Sequence, residues 1–171
     1  MKLNDRVRKH LADQLLPGET IVATIALNNQ IGTPTANSSG SISGGSSALG
    51  TPYAVRMGID LNDPQLRHQL LASWCTLTET RMLFHKPKAS AIRPTPGDLI
   101  EEHSRDGVRL SWFDNKGYAL DNRVFHFDFP DGIRVLSAAT LKAKLRRKPY
   151  NDEPFLLVRA FGDHATEVSN D

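Results

Sequence analysis

The chain carries six histidines, one cysteine and several adjoining carboxylates, which are side chains that often act in acid–base, nucleophilic or metal chemistry. None of the histidines has a second histidine or cysteine at the short spacings of a zinc site. They are His10, His68, His85, His103, His126 and His164. Glu101 and His103 would share one face of a strand, but solvated surface explains the pair more simply than acid–base catalysis. We therefore predict no metal site, no cofactor and no enzymatic activity.

Residues 28–52 contain no charged side chain and are rich in serine and glycine. Gly45–Thr51 has the glycine spacing of a phosphate-binding loop, but it lacks the lysine that such a loop needs. Chains of this composition bury too little apolar surface to offset the entropy of ordering them. We predict a flexible loop here. An alternative is a scaffold in which this segment docks to a partner, so that deleting residues 30–50 would abolish binding but not folding.

A run of cations near the C-terminus is the most suggestive local feature of the sequence. Its members are Lys142, Lys144, Arg146, Arg147 and Lys148. Cations at the end of a helix complement its macrodipole, so they can serve solubility alone. They can also meet an anionic membrane surface or an acidic protein. Nucleic acid is disfavoured, because the run has no interleaved aromatic residues and the net charge is only +2.

A hairpin over Ser73–His85 is the element around which the other elements are arranged. Reversal at Glu79 and Thr80 would place Leu77 opposite Met82 and Cys75 opposite Phe84, giving one apolar face. The other face, which includes Arg81, is mixed and is expected to be solvated. With Lys86 and Lys88 beyond the hairpin, Arg81 is predicted to join the C-terminal cations as the recognition surface. Cys75 is interpreted as a small buried hydrophobe.

The remaining elements follow from periodicity, turn residues and caps. Leu3, Val7, Leu11 and Leu15 predict an N-terminal helix. The predicted strands are Thr20–Leu27, Tyr53–Leu61, Asp98–His103, Val108–Phe113, Arg123–Phe129 and Ile133–Leu136. A short helix is expected from Asp63, an exposed connector over Lys86–Pro96, and a basic helix from Ser137 to Arg147. Residues 155–161 fit either a strand or a helix preceded by Asp152.

These elements predict an α+β protein that is mainly β, with an antiparallel meander forming a small barrel or a bent sheet between an N-terminal and a C-terminal helix. The expected divisions are 1–27 for the first helix and strand, 28–52 for the loop, 53–161 for the barrel and its helix, and 162–171 for a polar tail. The longest apolar run, Ile21–Leu27, is far too short to span a bilayer. We expect a soluble, cytoplasmic protein that is at most peripheral at the membrane.

The order of these parts resembles bacterial domains with a pleckstrin-homology-like (PH-like) barrel. The resemblance is carried by Leu77-Thr78, a turn and Arg81-Met82-Leu83-Phe84, followed by a linker, a meander and a helix, over roughly Ser73–Leu145. It implies a small barrel plugged at one end by its C-terminal helix and used to bind lipid head groups, peptides or protein partners. The early strand loop that carries basic residues in lipid-binding members is uncharged here, which is a departure from that pattern.

A rival function is a small-molecule-binding barrel or small enzyme that uses its interior near Trp112, Phe125 and Phe127, with His126 or His103 at the mouth. A polar cavity inside the barrel would favour this rival, whereas a filled apolar interior would favour a binding module. An unpaired sheet edge could also join two chains into a homodimer.

Overall fold

The computed structural model describes residues 3–27, 53–60, 62–67, 73–88, 95–116, 120–143 and 152–169. The helices are α1 (Leu3–His10), α2 (residues 53–57), α3 (Glu153–Phe161) and a 3₁₀ turn (Gly162–His164). The strands are β1 (Ile21–Leu27), β2 (Leu66–Arg67), β3 (Ser73–Thr78), β4 (Arg81–Lys88), β5 (Thr95–Ser104), β6 (Arg109–Lys116), β7 (Leu120–Asp128), β8 (Arg134–Ala143) and β9 (Ala165–Glu167). The predicted mainly β class is confirmed.

The strands form two sheets that share one apolar core. The first is antiparallel with the order β1-β3-β4-β5. The second has the order β2-β8-β7-β6-β9, in which β2 and β9 run parallel to their neighbours. Among the described residues no strand of one sheet pairs with a strand of the other, so the sheets form an open two-layer arrangement and not a closed barrel.

The hairpin of β3 and β4 has the predicted register. Leu77 is opposite Met82 and Cys75 is opposite Phe84, and all four side chains are fully buried in the core between the sheets. The ring of Phe84 meets the ring of Phe127 from the second sheet edge-on, with centroids 6.2 Å apart. Alternating apolar side chains therefore determine both the pairing and the face that meets the second sheet.

The opposite face of this hairpin is also buried, so the prediction of a solvated face is wrong. Trp74, Thr76 and His85 are each no more than 3% exposed. Helix α1 covers this face and packs Val7 and Leu11 with Trp74 in a second apolar cluster. Alternation within a strand shows which residues share a face, but a distant segment decides whether the polar face meets water.

The prediction of a basic helix from Ser137 to Arg147 is wrong over residues 137–143, because these residues continue strand β8. Ser137 pairs with Phe125 and Ala138 pairs with Val124 in β7. Both faces of β8 are covered, so its buried residues are nearly continuous and do not alternate with polar ones. Residues 144–147 lie outside the described residues.

The predictions for residues 53–67 are also wrong where the structure describes them. Residues 53–57 are helical, and Leu66–Arg67 form a strand parallel to β8. Tyr53 and Met57, one helical turn apart, pack on the outer face of the second sheet, where the Tyr53 ring stacks on Phe113. This packing outweighs the weak alternation that favoured a strand.

Strand β4 continues through part of the predicted connector Lys86–Pro96. Pro87 pairs with Pro96 in β5, whereas the β3–β4 ladder ends at the Trp74–His85 pair. A proline is tolerated there because the missing N–H lies beyond the end of the neighbouring strand. The two predicted alternatives for residues 155–161 are resolved as helix α3, which places Leu157 and Phe161 in the core between the sheets.

The antiparallel ladders give the molecule one end where its tight connections meet. Arg81 pairs with Ser104, so the β3–β4 turn and the β5–β6 turn lie at the same end of the first sheet. Arg109 pairs with Asp128, so the β5–β6 turn and the β7–β8 turn lie at the same end of the second sheet. We call this side the turn end. Strands β4, β6 and β8 leave the turn end and finish away from it, at Lys88, Lys116 and Ala143 respectively.

Candidate functional site

The predicted recognition surface is described only in part. Lys86 and Lys88 are exposed near the end of β4, and Lys142 is exposed near the end of β8. The other predicted cations of the C-terminal run lie outside the described residues. They are Lys144, Arg146, Arg147 and Lys148. The structure therefore places three of the predicted lysines on strand ends that are remote from the turn end.

Arg81 does not lie with these lysines. It begins β4 at the turn end, about 16 Å along the strand from Lys86 at the usual rise of a β-strand. Its guanidinium contacts Glu19 (Nε to Oε1, 3.0 Å) and Glu102 (Nη1 to Oε1, 3.0 Å), and the side chain is 13% exposed. Arg81 thus pairs with one buried carboxylate, Glu19, and one exposed carboxylate, Glu102, and so differs from the exposed lysines.

Glu19 is the centre of a buried polar network beneath the β3–β4 turn. Besides Arg81, the hydroxyl of Thr78 and the backbone N–H of Leu16 donate hydrogen bonds to its carboxylate, over 2.6 Å and 2.9 Å. The hydrogen bond from Arg81 is the largest cause that lowers the pKa of Glu19 to about 2, against the opposing effect of burial. The network fixes the α1–β1 connection against the hairpin.

Lys116 is a candidate residue that the sequence reasoning missed. It is exposed at the last position of β6, and its place in an Asn-Lys-Gly turn gave no sign of other cations nearby. Its strand leads away from the turn end, as do the strands that carry the three predicted lysines, which the topology shows and the local sequence does not. We define the basic strand ends as Lys86, Lys88, Lys116 and Lys142. No ion pair joins any of these four to another described residue, although Lys142 is opposite Asp121 in the ladder.

Glu101 and His103 share one face of β5 as predicted, and Oε2 of Glu101 lies 3.1 Å from Nε2 of His103. Their side chains are only 14% and 9% exposed, so the expectation of a solvated surface is wrong. The other ring nitrogen of His103 lies 3.7 Å from Oδ2 of Asp131 in the β7–β8 turn. The ring also lies against Phe129, with centroids 4.2 Å apart. His103 is therefore occupied in joining β5 to the second sheet, and its side chain is only 9% exposed.

The interior near Phe125 and Phe127 is packed with side chains. Phe127 contacts Phe125, Phe84 and Phe161 with ring centroids 5.9–6.2 Å apart. His126 is adjacent in β7 and so points to the other face of the sheet, and burial lowers its pKa. The expectation that His126 lies at the mouth of this interior is therefore wrong.

Cys75 lies in the same apolar interior and is fully buried. Burial raises the pKa of its thiol to about 12, so the thiolate is not formed at neutral pH. Its interpretation as a buried hydrophobe is confirmed.

A concave site of about 490 Å³ opens at the turn end, which we call the turn groove. It is lined by Glu79, Thr80, Ser104, Arg105, Asp106, Gly107, Val108, Phe161 and His164. Arg105 holds the groove together, because its guanidinium donates hydrogen bonds to the carbonyls of Thr78 and Ala160. The hairpin is thereby tied to the last turn of α3.

No family model, curated protein or solved structure matches this chain. Its function is therefore inferred from its own geometry. Among the residues that the structure describes, no cluster of three or more acidic, histidine or cysteine side chains could hold a metal ion. In the same part of the chain no helix is long and apolar enough to cross a membrane. Two exposed features remain to be explained, which are the basic strand ends and the turn groove.

Strand β5 is one of the two described edge strands of the first sheet, the other being β1, and an edge strand is where the predicted homodimer would pair. It is paired to β4 on one side, and no described strand pairs with its other side. The edge carries Asp98, Glu101 and Glu102 within five positions. Like charges opposite each other destabilise a ladder, so these carboxylates disfavour antiparallel pairing of two copies of β5.

Proposed function

We propose that this protein is a non-enzymatic binding module with a PH-like fold, which docks on an anionic membrane surface through its basic strand ends. The C-terminal cations Lys144–Lys148 are proposed to extend that surface. The fold and the docking surface are supported by separate observations, and the surface is the part that an experiment tests most directly.

The PH-like part of the proposal is supported by the order of elements. Strands β1, β3, β4 and β5 form one antiparallel meander, β6, β7 and β8 form a second, and α3 follows. Helix α3 places Leu157 and Phe161 in the core and contacts β1, β6 and β8. The sequence resemblance implies a C-terminal helix that plugs one end, but the stretch to which it assigned that helix begins within strand β8. We propose that α3, which lies beyond the matched stretch, takes that role.

The filled interior supports a binding module over an enzyme with an internal site. Phe84, Phe125 and Phe127 are each fully buried and interlock across the two sheets. Small-molecule sites are usually concave and several hundred Å³ in volume. Recognition is therefore assigned to the outside of the protein.

The observation that carries the proposal is the group of four exposed lysines at the basic strand ends. Each cation near an anionic bilayer contributes about 1 kcal/mol, so four that approach the surface together give binding of useful strength. Exposed cations without ion-pair partners among the described residues keep this contribution available, because no ion pair with that part of the chain must first be broken.

Co-sedimentation of the full chain with vesicles tests the proposal. Neutral phosphatidylcholine vesicles and vesicles with added phosphatidylserine are compared at low and high salt. We expect binding only to the anionic vesicles, and loss of that binding at high salt, because exposed charges are screened. The variants Lys86→Glu/Lys88→Glu and Lys144→Glu/Arg146→Glu/Arg147→Glu should each bind at least tenfold more weakly.

The matched control for the first variant is Arg109→Glu/Arg159→Glu, which makes the same change of charge at exposed positions outside the basic strand ends. This control should retain most of the binding. Equal loss in both double variants would show that net charge alone drives association. Absence of binding to every vesicle would overturn the membrane proposal and direct the search to an acidic protein partner.

A further inference from the structure

The edge of the second sheet carries a buried hydrogen-bond donor without a partner. None of the described side chains that line the turn groove has such a donor. The edge is formed by β9, which runs parallel to β6 and pairs with it over the three positions from Leu110 to Trp112. The donor is Nε of Arg56, in helix α2. A buried donor that makes no hydrogen bond raises the free energy of the protein, so its place at the edge requires a reason.

The guanidinium group of Arg56 lies against the end of β9. It sits over the ring of Phe113, 3.9 Å from the ring centroid, and Nη2 donates a hydrogen bond to the backbone carbonyl of Val168 over 3.3 Å. Nε is buried and makes no hydrogen bond. No ion pair joins Arg56 to another described residue. This partly buried cation therefore lacks an anion in the part of the chain that the structure describes.

Two other arginines show what the same two donors bind when a carboxylate is present. Nε and Nη2 of Arg123 donate to the two oxygens of Asp114 over 2.6 Å and 2.9 Å. The same two atoms of Arg81 donate to the two oxygens of Glu19. The N–H groups of Nε and Nη2 point in one direction and match the two oxygens of a carboxylate. In Arg56 a single carbonyl oxygen occupies only half of this fork.

A peptide that ended at the position of Val168 would fill the fork. The carbonyl carbon of Val168 is bonded to the backbone nitrogen of Ser169, which carries a hydrogen and cannot accept one from Nε. At the end of a chain an oxygen replaces that nitrogen, and the group becomes a carboxylate with two acceptors. The donor without a partner therefore points to a ligand that has a terminal carboxylate.

Strand β9 has few contacts that would prevent its replacement. Thr166 and Glu167 are exposed, and Ala165 and Val168 are only partly buried. Its pairing with β6 is extended by one hydrogen bond, from the N–H of Val168 to the carbonyl of Trp112 over 2.8 Å. Segments with little buried apolar surface open at a low cost in free energy. An extended peptide can make the same main-chain hydrogen bonds, which is the basis of strand addition at a sheet edge.

We propose that the edge of β6 binds the C-terminal end of an extended peptide, which takes the place of β9 and runs parallel to β6. The last side chain of the peptide is aliphatic and occupies the position of Val168, which packs against the apolar cluster that contains Phe113. The terminal carboxylate accepts hydrogen bonds from Nε and Nη2 of Arg56. Strand β9 is then an internal competitor that the peptide must displace. The proposed membrane contact uses none of these residues.

Titration of the ¹⁵N-labelled full chain with short peptides, followed by NMR, tests this proposal. The probe is acetyl-His-Ala-Thr-Glu-Val with a free carboxylate, which copies residues 164–168, and its matched control is the same peptide with a C-terminal amide. We expect the free acid to bind at least tenfold more tightly and to shift the Nε–H resonance of Arg56. Hydrogen exchange of the Val168 amide should accelerate as β9 leaves the edge. Equal affinity of the acid and the amide would overturn the proposal.

The variant Val168→Pro weakens the internal competitor and leaves Arg56 intact. It removes the N–H that bonds to the carbonyl of Trp112, so the free acid should bind about fivefold more tightly than it binds the wild type. Equal or weaker binding by this variant would contradict the replacement of β9. Absence of saturable binding of the acid to both chains would overturn the whole proposal.

The variant Arg56→Gln removes the fork and should bind the acid and the amide with equal affinity. Arg8→Gln, at an exposed position of α1, is the matched control and should keep the tenfold preference for the acid. A preference that persists in Arg56→Gln would contradict the role of this arginine. Sodium acetate supplies a carboxylate without a strand and should bind at least tenfold more weakly than the acid peptide. Equal binding of acetate would reduce the site to a simple anion site and overturn the peptide assignment.

Discussion

Charged side chains at the turn end differ from those at the basic strand ends in what they contact. Arg81 and Arg105 at the turn end each contact two groups that come from different parts of the chain. Lys86, Lys88 and Lys116 are exposed and have no ion-pair partner among the described residues. At the turn end the positive charge holds the chain together, and we propose that at the basic strand ends it meets another molecule.

The difference shows that charge and position in a strand do not by themselves identify a recognition residue. Arg81 and Lys86 belong to the same strand and both carry a positive charge. Burial beside Glu19 separates them, because breaking a largely buried ion pair lowers the stability of the protein much more than removing an exposed cation does. Substitution of Arg81 should therefore lower stability and leave vesicle binding unchanged, whereas substitution of Lys86 and Lys88 should lower vesicle binding and leave stability nearly unchanged.

The largest effect on stability is expected from Arg81→Met. Glu19, which is 4% exposed in the wild-type structure, would lose its cation, and loss of one partner of a buried pair costs about 3 kcal/mol of unfolding free energy. Urea denaturation measures this change. The double variant Glu19→Met/Arg81→Met is the control and should recover more than half of the loss, because no buried charge is left unpaired. A loss below about 1 kcal/mol in the single variant would contradict the role given to this pair.

Arg105→Met should have a smaller effect, about 2 kcal/mol, because it removes hydrogen bonds from a charged group to two backbone carbonyls. Thermal and urea denaturation measure the loss. Arg109→Met is the matched control at an exposed position of the same end and should change stability by less than about 0.5 kcal/mol. Equal stability of the two variants would show that Arg105 does not hold α3 to the hairpin.

The pH dependence of stability should also show an effect from His85. Burial lowers the pKa of His85 from 6.5 to about 4, so the unfolded chain takes up a proton first as the pH falls. The stabilising contribution is complete above pH 6.5 and is lost as the pH falls towards 4. His126, whose pKa is also lowered by burial, acts in the same direction.

Urea denaturation between pH 7.5 and 4.5 measures this effect. The variant His85→Gln should show a flatter fall in unfolding free energy over that range than the wild type. His10→Gln, at an exposed position, should keep the wild-type slope. An unchanged slope in His85→Gln would contradict the burial of a neutral imidazole at this position.

The parts of the fold that were predicted correctly are those specified by local alternation. Leu77, Met82 and Phe84 alternate with polar or mixed residues over a short reversal, and this pattern determined the register of the central hairpin. The strand predictions around Leu110 and Phe127 rested on the same signal and are confirmed. Turn residues such as Gly107 and Gly132 correctly predicted where the chain reverses, because the positive φ angles found there are favoured by glycine.

The parts that were predicted incorrectly depend on contacts between distant segments. Ala138 and Leu141 have good helix propensity, yet covered faces on both sides of β8 stabilise a strand. The outer face of the hairpin looked solvated because nothing in its own sequence shows that Val7 and Leu11 cover it. The inclusion of Arg81 in the recognition surface had the same cause, since Glu19 is 62 positions away.

Substitution of cations at the two ends, measured both by vesicle binding and by unfolding free energy, tests the central claim most directly. Lys86→Glu/Lys88→Glu should change stability by less than about 0.5 kcal/mol and lose at least tenfold in binding to anionic vesicles. Arg81→Met should lose stability and, at temperatures where it remains folded, bind vesicles like the wild type. If instead the lysine variant unfolds easily or Arg81→Met alone abolishes vesicle binding, the assignment of the two ends is contradicted.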